Sequence, residues 1–386
     1  MKTLSRKIIA LCLLLMMVIV SMLGSAQSGV TASGSAADQL VQSALDLKHT
    51  LRFGSDGKFK ILIFSDVQDA YPMNSKLVSD MEKLLDKEKP DLVLLGGDNH
   101  HGGSSVNSES KMRTYLTQMS KPMEDRKIPW AQVYGNHVNG GYNFNMGFGK
   151  AAQQKIFESF KYNLSKAGSV YGQGNYVLPI LRSSGNKVAF NVFMMDSHSY
   201  VYQYRSDAEK LWLLETTNMD DKTKGVTIYS GNTYDVIHMD QIKWYWDTSV
   251  ALEKYNGSKI AAMMLFHIPL YEWNYILQNR DVAGMTGTQH EAVCAPEANS
   301  GLFQACYERG DVKALICGHD HINDFAGKYM GITMAYTPTV GAPIPNAGLP
   351  SGYYYYLDQI GARIVEVDEN NAFAFTTRMS YIKDLK

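Results

Sequence analysis

Three observations predict an α/β fold. Apolar runs of strand length alternate with segments whose apolar residues recur at helical spacing. The runs are apolar throughout, as strands covered on both faces are. Each then exits into polar residues at its carboxyl end, and strand, helix, strand, helix, strand in that order is the mark of parallel crossover units.

The chain opens with Lys2, Arg6 and Lys7 ahead of an apolar run from Ile8 to Leu23, followed by the small residues Gly24 and Ala26. That pattern assigns residues 1–26 to a secretory signal peptide cleaved after Ala26. The run is near the shortest apolar length that spans a bilayer, about 17 residues, so an uncleaved membrane anchor is the alternative. Cys12 lies inside the run, which argues against a lipidated cysteine at its end. Ser28 to Asp38, rich in Ser, Ala and Gly, reads as a flexible lead-in, and domain structure is expected from about Leu40. Leu51-Arg52-Phe53 and Lys58 to Phe64 flank Gly54-Ser55-Asp56-Gly57, a hairpin signal. Residues 27–57 are therefore the lead-in and first hairpin arm, and residues 58–386 the main domain.

The second arm runs into Ser65-Asp66-Val67-Gln68-Asp69. Leu77, Met81, Leu84 and Leu85 then recur at helical spacing up to Pro90. Asp91 to Leu95 is the next strand and ends in Gly96-Gly97-Asp98-Asn99. A helical segment from about Ser110 to Met123 leads to the strand Ile128 to Tyr134, which ends in Gly135-Asn136-His137. Asn139 to Gly149 is a loop, Ala151 to Lys166 a helix, and Val188 to Asp196 a strand. Ser197 to Tyr234 shows no clear period and reads as an irregular insertion. His238 to Tyr255 is expected to be a helix packing Ile242, Trp246, Val250 and Leu252 on the sheet. Ile260 to Phe266 is a strand ending in His267-Ile268-Pro269, followed by a long loop from Tyr271 to Asn299 and a helix at Leu302 to Glu308.

The apolar run Ala314-Leu315-Ile316-Cys317 ends in Gly318-His319-Asp320-His321. If the backbone stays extended, His319 and His321 share a side. Gly331 to Tyr336, Gly361 to Val367 and Ala372 to Met379 alternate as strands of a second sheet, and the aromatic run Tyr353 to Tyr356 is read as packing against a neighbouring layer.

The balance of 37 basic and 38 acidic residues gives a net charge of −1, so nothing in the charge points to nucleic acid. Loss of the signal removes three basic residues and leaves 34 against 38, a net −4, as befits a mildly acidic exported protein. Beyond the signal no membrane segment is expected, and oligomeric state leaves no trace in the sequence. Export permits disulfides; Cys294 and Cys306 bracket a loop around Pro296 and Gly301 and are the expected bridge, with Cys317 a buried thiol. Asn163-Leu164-Ser165 and Asn256-Gly257-Ser258 match the glycosylation acceptor pattern, which matters only in a glycosylating host.

Five apolar strands thus end in Asp66, Asp98, Asn136, His267, and the pair His319 and His321. Carboxylate, amide and imidazole are what two hard or borderline divalent ions need when they share a bridging carboxylate and keep positions open for water. Open α/β sheets place ligands at such strand ends. Each signal alone is weak, because Gly-Asp-Asn and Gly-Asn-His also serve as ordinary turns. All of them in this order, each after an apolar strand, are hard to obtain by accident.

With these residues in place, the chain resembles the calcineurin-like metallophosphoesterases, in the branch related to purple acid phosphatases. The resemblance runs from about Lys58 to Arg378. Its most specific parts are Phe266-His267-Ile268-Pro269-Leu270, and Ser300-Gly301-Leu302-Phe303 through Glu308 to Lys313 and on to Gly318 to Phe325. It implies a four-layer α/β/β/α sandwich of two mixed sheets with flanking helices. It also implies that Asp98 bridges two metals, that Asp66 and His321 hold the first, and that Asn136, His267 and His319 hold the second. His137 would sit over the phosphate, steadying it or protonating the leaving oxygen; His290, from the long loop, is a second and weaker candidate for that task.

The chain departs from the family pattern at three places. Gln68 stands where the family has His, so the first metal exchanges a nitrogen ligand for, at most, an amide oxygen. His101 stands where the purple branch has a tyrosine, which removes the phenolate colour and disfavours a ferric ion; it is a further ligand candidate or a residue of the surrounding shell. Val138 stands where an acidic residue usually follows Gly-Asn-His. The expected function is export and hydrolysis of a phosphomonoester or phosphodiester at two divalent ions, Mn, Fe or Zn. The alternatives are a phosphate-ligand or cell-surface binding module on the same scaffold, and two-metal hydrolysis of something other than phosphate.

Overall fold

Every apolar run between two helical segments becomes a strand with both faces covered. The structure, a computed structural model, describes residues 35–69, 71–100, 106, 108–138, 149–200, 234–341 and 358–385. The signal segment, most of the lead-in, His101, the loop at 139–148, most of the irregular insertion and Tyr353 to Tyr356 lie outside the described residues.

Strands β1 (Leu51–Arg52), β2 (Lys58–Phe64), β3 (Leu92–Leu95), β4 (Trp130–Gln132), β5 (Tyr176–Leu181), β6 (Val188–Met194), β7 (Ala261–Leu265), β8 (Val312–Cys317), β9 (Ala326–Tyr329), β10 (Ile332–Tyr336), β11 (Gly361–Asp368) and β12 (Thr376–Tyr381) build two sheets. One has seven strands in the order β1-β5-β6-β7-β8-β10-β9, the other five in the order β12-β11-β2-β3-β4. In the first, β6, β7, β8 and β10 are parallel neighbours; in the second, β2, β3 and β4 are. Antiparallel partners at the flanks, such as β11 on β2 and β5 on β6, make both sheets mixed.

Seven helices are described: α1 (Ala36–Leu45), α2 (Ser75–Glu88), α3 (Glu109–Arg126), α4 (Lys150–Ser159), α5 (Met239–Asn256), α6 (Trp273–Gln278) and α7 (Leu302–Arg309). Asn74 caps α2 by accepting from the Lys76 N–H, and Ser108 caps α3 by accepting from the Lys111 N–H. Three cores show the layering. Between the sheets, Ile61, Ile63, Leu92 and Leu94 meet Leu178, Val192, Met263, Leu265 and Ile316. On the far face of the five-stranded sheet, Leu62, Phe64, Val93 and Leu95 pack on Leu77, Met81 and Leu84 of α2 and Met112, Tyr115 and Met119 of α3. On the far face of the seven-stranded sheet, Phe193, Met264 and Leu315 pack on Tyr245 and Leu252 of α5 and Leu302 and Cys306 of α7. The result is the expected helix, sheet, sheet, helix sandwich, each buried aliphatic side chain contributing about 1.5–3 kcal/mol. Among the described residues no helix is long and apolar enough to cross a membrane.

Several local expectations are corrected. The turn at Gly54–Gly57 closes through Gly57 N–H on the Gly54 carbonyl (2.9 Å), but its arms do not form a hairpin: β1 pairs with β5 in one sheet and β2 enters the other. The end of the lead-in is helical, since α1 starts at Ala36. β5 carries Pro179, which a strand paired on both sides, as β5 is with β1 and β6, seldom holds, so its sequence does not read as a strand. β10 joins the seven-stranded sheet beside β8 and pairs with β9, while residues 372–374 form a short 3₁₀ turn ahead of β12. The long loop contains α6. Helix α4 ends at Ser159. On α5 the buried face carries Ile242, Tyr245 and Leu252, whereas Trp246 and Val250 face solvent.

The expected bridge is absent. Cys294 sits part-exposed on a loop, Cys306 is wholly buried on the inner face of α7 beside Tyr245 and Asp311, and both are free thiols, as is the buried Cys317. Asn163 is buried too, with its amide on Gln132 Oε1 (2.9 Å), so that acceptor pattern is closed to any glycosylating enzyme.

Candidate metal centre

Because β2, β3 and β4 run parallel in one sheet and β7 and β8 run parallel in the other, their carboxyl ends meet at one rim. β2 delivers Asp66, β3 delivers Asp98 and β4 delivers Asn136 and His137; β7 delivers His267, and β8 delivers His319 and His321. The chain must turn sharply there. Asp66, Gln68, Asp98 and His319 adopt left-handed φ values of 50°, 34°, 45° and 76°. Such positions cost roughly 1–3 kcal/mol each and persist where the surroundings over-determine them. The surroundings do so here: Asp66 N–H donates to the Gly97 carbonyl (3.2 Å), Gln68 N–H to the Asp98 carbonyl (3.0 Å), and the Thr339 hydroxyl to the Asp66 carbonyl (2.7 Å). The left-handed turn at His319 corrects the extended reading of this stretch, so the two imidazoles serve different partners.

All six residues converge. His321 Nε2 lies 3.3 Å from Asp66 Oδ1. His267 Nε2 lies 3.1 Å from Asp98 Oδ2, 3.1 Å from Asn136 Oδ1 and 3.9 Å from Asp66 Oδ1. Ligand atoms of Asp98, His267 and His319 lie within 4.8 Å of one another, and the His267 and His319 rings are 5.1 Å apart edge to face. His137 reaches in from the side, its backbone N–H on Asp98 Oδ1 (2.9 Å) and its Nε2 3.9 Å from Asp98 Oδ2.

Charge is concentrated in this dry rim. Burial raises both aspartates, but the facing histidines outweigh it: His267 and His321 hold Asp66 below the usual carboxylate range, and His267 with His137 hold Asp98 well below it. Burial lowers His267, yet Asp98 and Asp66 overcome this and push it up to about 9. His319, buried and beside His267, is pushed down to about 3, and burial also lowers His137. Two carboxylates kept ionised by facing imidazoles, with His267 and His321 raised in return, describe a cluster in which an arriving cation would displace histidine protons.

The residues fit divalent ions. Gln68 Oε1 and His319 Nε2 are buried and meet no hydrogen-bond donor or acceptor. His267 Nδ1 lies 2.8 Å from the Gly96 carbonyl, which fixes the ring and aims Nε2 at the carboxylates, the nitrogen an arriving ion would take in exchange for its proton. The cradle is closed by glycines: at Gly97, with φ 100°, an added Cβ would stand 2.4 Å from His267 Nδ1, and at Gly135 it would stand 2.1 Å from Asp98 Oδ1.

Gln68 does reach the centre, but through its amide nitrogen, which donates to Asp98 Oδ2 (2.7 Å), while its Oε1 is buried without a donor. Val138 packs in the outer core, where a charge would be costly. His101 lies outside the described residues. His290 is half-buried on the loop before α7, its backbone N–H on Asn323 Oδ1 (2.9 Å).

Sequence reasoning missed the supporting shell. Tyr200 OH accepts from Asn136 Nδ2 (3.0 Å) and so points Oδ1 at His267. Ser65 Oγ donates to Asp66 Oδ2 (2.6 Å), and Ser197 Oγ accepts from His267 and Ile268 N–H (3.2 and 2.9 Å). Tyr234 stands edge-on to His319, with ring centres 4.7 Å apart. The buried pair Lys150–Asp196 (2.7 and 2.8 Å) ties the start of α4 to the end of β6. Ser65 and Ser197, each next to a strand end, were the readable cases; the tyrosines sit in a stretch with no period.

A family model described as calcineurin-like phosphoesterase matches residues 59–323. The chain belongs to that family. Membership implies divalent-metal binding, for which Asp98, His267 and His319 are candidate ligands. Among calcineurin-like phosphoesterase relatives, the chain is 28% identical to probable inactive purple acid phosphatase 14 of Arabidopsis thaliana, over 78% of this chain and 75% of that one. It is 30% identical to phosphatase DCR2 of Saccharomyces cerevisiae, over 70% of this chain and 45% of that one. Among solved structures it resembles a dimetal phosphatase from Danio rerio at 14% identity and a TM-score of 0.49, covering 83% of this chain and 98% of the other.

Proposed function

We propose that this chain is an exported phosphoesterase that hydrolyses a phosphomonoester or phosphodiester, with Asp66, Asp98, Asn136, His267, His319 and His321 holding two divalent ions, Mn, Fe or Zn. The observation that carries the reading is the convergence of six donor side chains on one rim, with His319 Nε2 buried and unsatisfied by the protein. When bound, such a pair supplies a water of lowered pKa and neutralises charge on the phosphoryl oxygens.

The chain's own groups do the rest. Asp98 stands among His267, His319 and His137, its Oδ2 3.1 Å from His267 Nε2 and 3.9 Å from His137 Nε2. The Gly96 carbonyl and the Tyr200 hydroxyl fix the faces that His267 and Asn136 present. His137 is neutral near pH 7, since burial lowers its pKa, so its ring serves as a hydrogen-bond donor that steadies a phosphoryl oxygen better than as a standing acid. The amino-terminal signal pattern supports export.

A second reading, a binding module with little turnover, is favoured by Gln68 in a histidine's place and by Val138 buried where an orienting carboxylate would stand. One experiment separates the two. Purified protein given Mn, Zn or Fe is assayed on p-nitrophenyl phosphate and its bis ester, with elemental analysis alongside. Two ions per chain with turnover support the enzyme; two ions without turnover on any metal favour the module. Loss of at least one ion in Asp98→Asn is expected under both.

A further inference from the structure

At the turn that carries His319 and His321, the loop before α7 brings Glu291 and Cys294 against Asp320. One carboxylate oxygen of Glu291, one of Asp320 and the Cys294 Sγ lie within 4.8 Å of one another. We propose that Glu291, Cys294 and Asp320 form a separate mononuclear cation site, which takes a borderline or soft divalent ion such as zinc or cadmium through one thiolate and two carboxylates.

Asp320 is the strongest indication. It is 1% exposed, and while Oδ2 accepts from the Tyr336 hydroxyl (2.5 Å) and the Cys294 N–H (3.1 Å), Oδ1 meets no donor. A buried carboxylate oxygen left this way costs free energy unless something positive meets it. Its neighbours are aimed correctly. Ile322 N–H fixes Glu291 Oε1 (3.0 Å), and the Cys294 thiol bonds to the Asp320 carboxylate and makes a long contact with the Ala292 carbonyl (3.6 Å). The charges that act on this thiol are those of Asp320 and Glu291, both acidic, and with burial they push its pKa up. An arriving cation reverses that balance: the thiol proton leaves to solvent, a metal–sulfur bond forms, and no oxidant or reductant is involved.

The donor set selects the ion. A thiolate with two carboxylates suits zinc or cadmium better than magnesium or calcium, which prefer oxygen alone. A tetrahedral ion with bonds of about 2.0–2.3 Å holds its ligand atoms about 3.3–3.8 Å apart, so small rotations close the cluster. The fourth position falls to solvent, since Glu291 and Cys294 are only half-buried.

The location gives the site a role. Residues 286–294 already track the turn: Asp324 N–H donates to the Thr288 carbonyl (3.1 Å), Thr288 N–H to Asp324 Oδ1 (2.6 Å), and His290 and Glu291 N–H to Asn323 Oδ1 (2.9 and 3.2 Å). An ion bound by Glu291, Cys294 and Asp320 staples this loop to the residue between His319 and His321 and so stiffens the turn that positions them.

The test is a cadmium titration of the full chain, followed by ultraviolet absorption. Wild type is expected to develop a thiolate-to-cadmium charge-transfer band, Asp98→Asn to keep it, Cys294→Ala to lose it, and Glu291→Gln to need at least about tenfold more cadmium. Keeping the band in Asp98→Asn separates this site from the proposed dinuclear one. In parallel, cadmium should slow maleimide labelling of Cys294 at least about tenfold, with Cys294→Ala giving the background from other thiols. Absence of the band in wild type, its survival in a natively folded Cys294→Ala, or labelling indifferent to cadmium would overturn the proposal.

Discussion

Gln68 and Asp98 are joined side chain to side chain: the Gln68 amide donates to Asp98 Oδ2 at 2.7 Å, the same oxygen that lies 3.1 Å from His267 Nε2. Position 68 therefore acts on the candidate bridging carboxylate. Replacing Gln68 with His removes the competing N–H and supplies a nitrogen donor. Gln68→His is expected to tighten metal binding by about tenfold or more, as changes around a metal site commonly do. Chelator competition measures it, and an unchanged affinity would place residue 68 outside the coordination sphere.

Gly97→Ala should damage the centre from beneath. Its Cβ would meet His267 Nδ1, Cγ and Cβ at 2.4, 2.6 and 2.7 Å, in a backbone of φ 100°. The expected cost is about 2–4 kcal/mol by urea denaturation, combining backbone strain with overpacking, together with reduced metal content. Gly331→Ala is the control: φ is 81° but nothing lies within 4 Å, so only the backbone contribution, about 1 kcal/mol, should appear.

Tyr200→Phe removes the acceptor that holds Asn136 Nδ2. The Asn136 carbonyl then loses its fixed aim at His267. Stability should fall by only about 0.5–1.5 kcal/mol, the worth of one hydrogen bond. Metal affinity or turnover should fall about tenfold, and a variant unchanged in both would remove Tyr200 from the centre.

The buried Lys150–Asp196 pair makes stability depend on acid. Burial raises Asp196, but Lys150 and His198 outweigh it and hold its pKa below the ordinary 3.8. The stabilisation is thus complete above the ordinary carboxylate value and is lost as pH falls through the folded one. Asp196→Asn leaves Lys150 buried without its partner and should cost about 3–5 kcal/mol at pH 7. Urea midpoints from pH 7 to pH 3 should decline more steeply in wild type than in the variant.

How much the sequence disclosed follows from where its information lies. Strands buried on both faces write themselves as unbroken apolar runs, so β2, β3, β7 and β8 were legible, and with them the polar residues at their ends. Asp66, Asp98, Asn136, His267, His319 and His321 were found this way, and the structure brings all six together. Which sheet a strand joins is written nowhere locally. That is why β1 and β2 looked like a hairpin and β10 looked like part of the other sheet. Pairings across sequence distance are equally silent: Tyr200 on Asn136, or Cys294 beside Asp320 in place of Cys306, depend on loops whose course only the folded chain fixes.

Asp66, Asp98 and Asn136 follow strands of the five-stranded sheet, whereas His267, His319 and His321 follow strands of the seven-stranded one. A cation gripped by both groups is thus a rivet through two leaves otherwise held by apolar contact and a few hydrogen bonds, such as Arg363 on the Tyr336 carbonyl (2.6 Å) and Tyr176 on the Gln132 carbonyl (2.6 Å). At a free concentration a hundredfold above its dissociation constant, one such ion adds about 2.7 kcal/mol to the folded state. The heat tolerance of the whole sandwich then becomes a readout of the mineral content of its surroundings, and starving it of cations should loosen the leaves well before any apolar contact between them is altered.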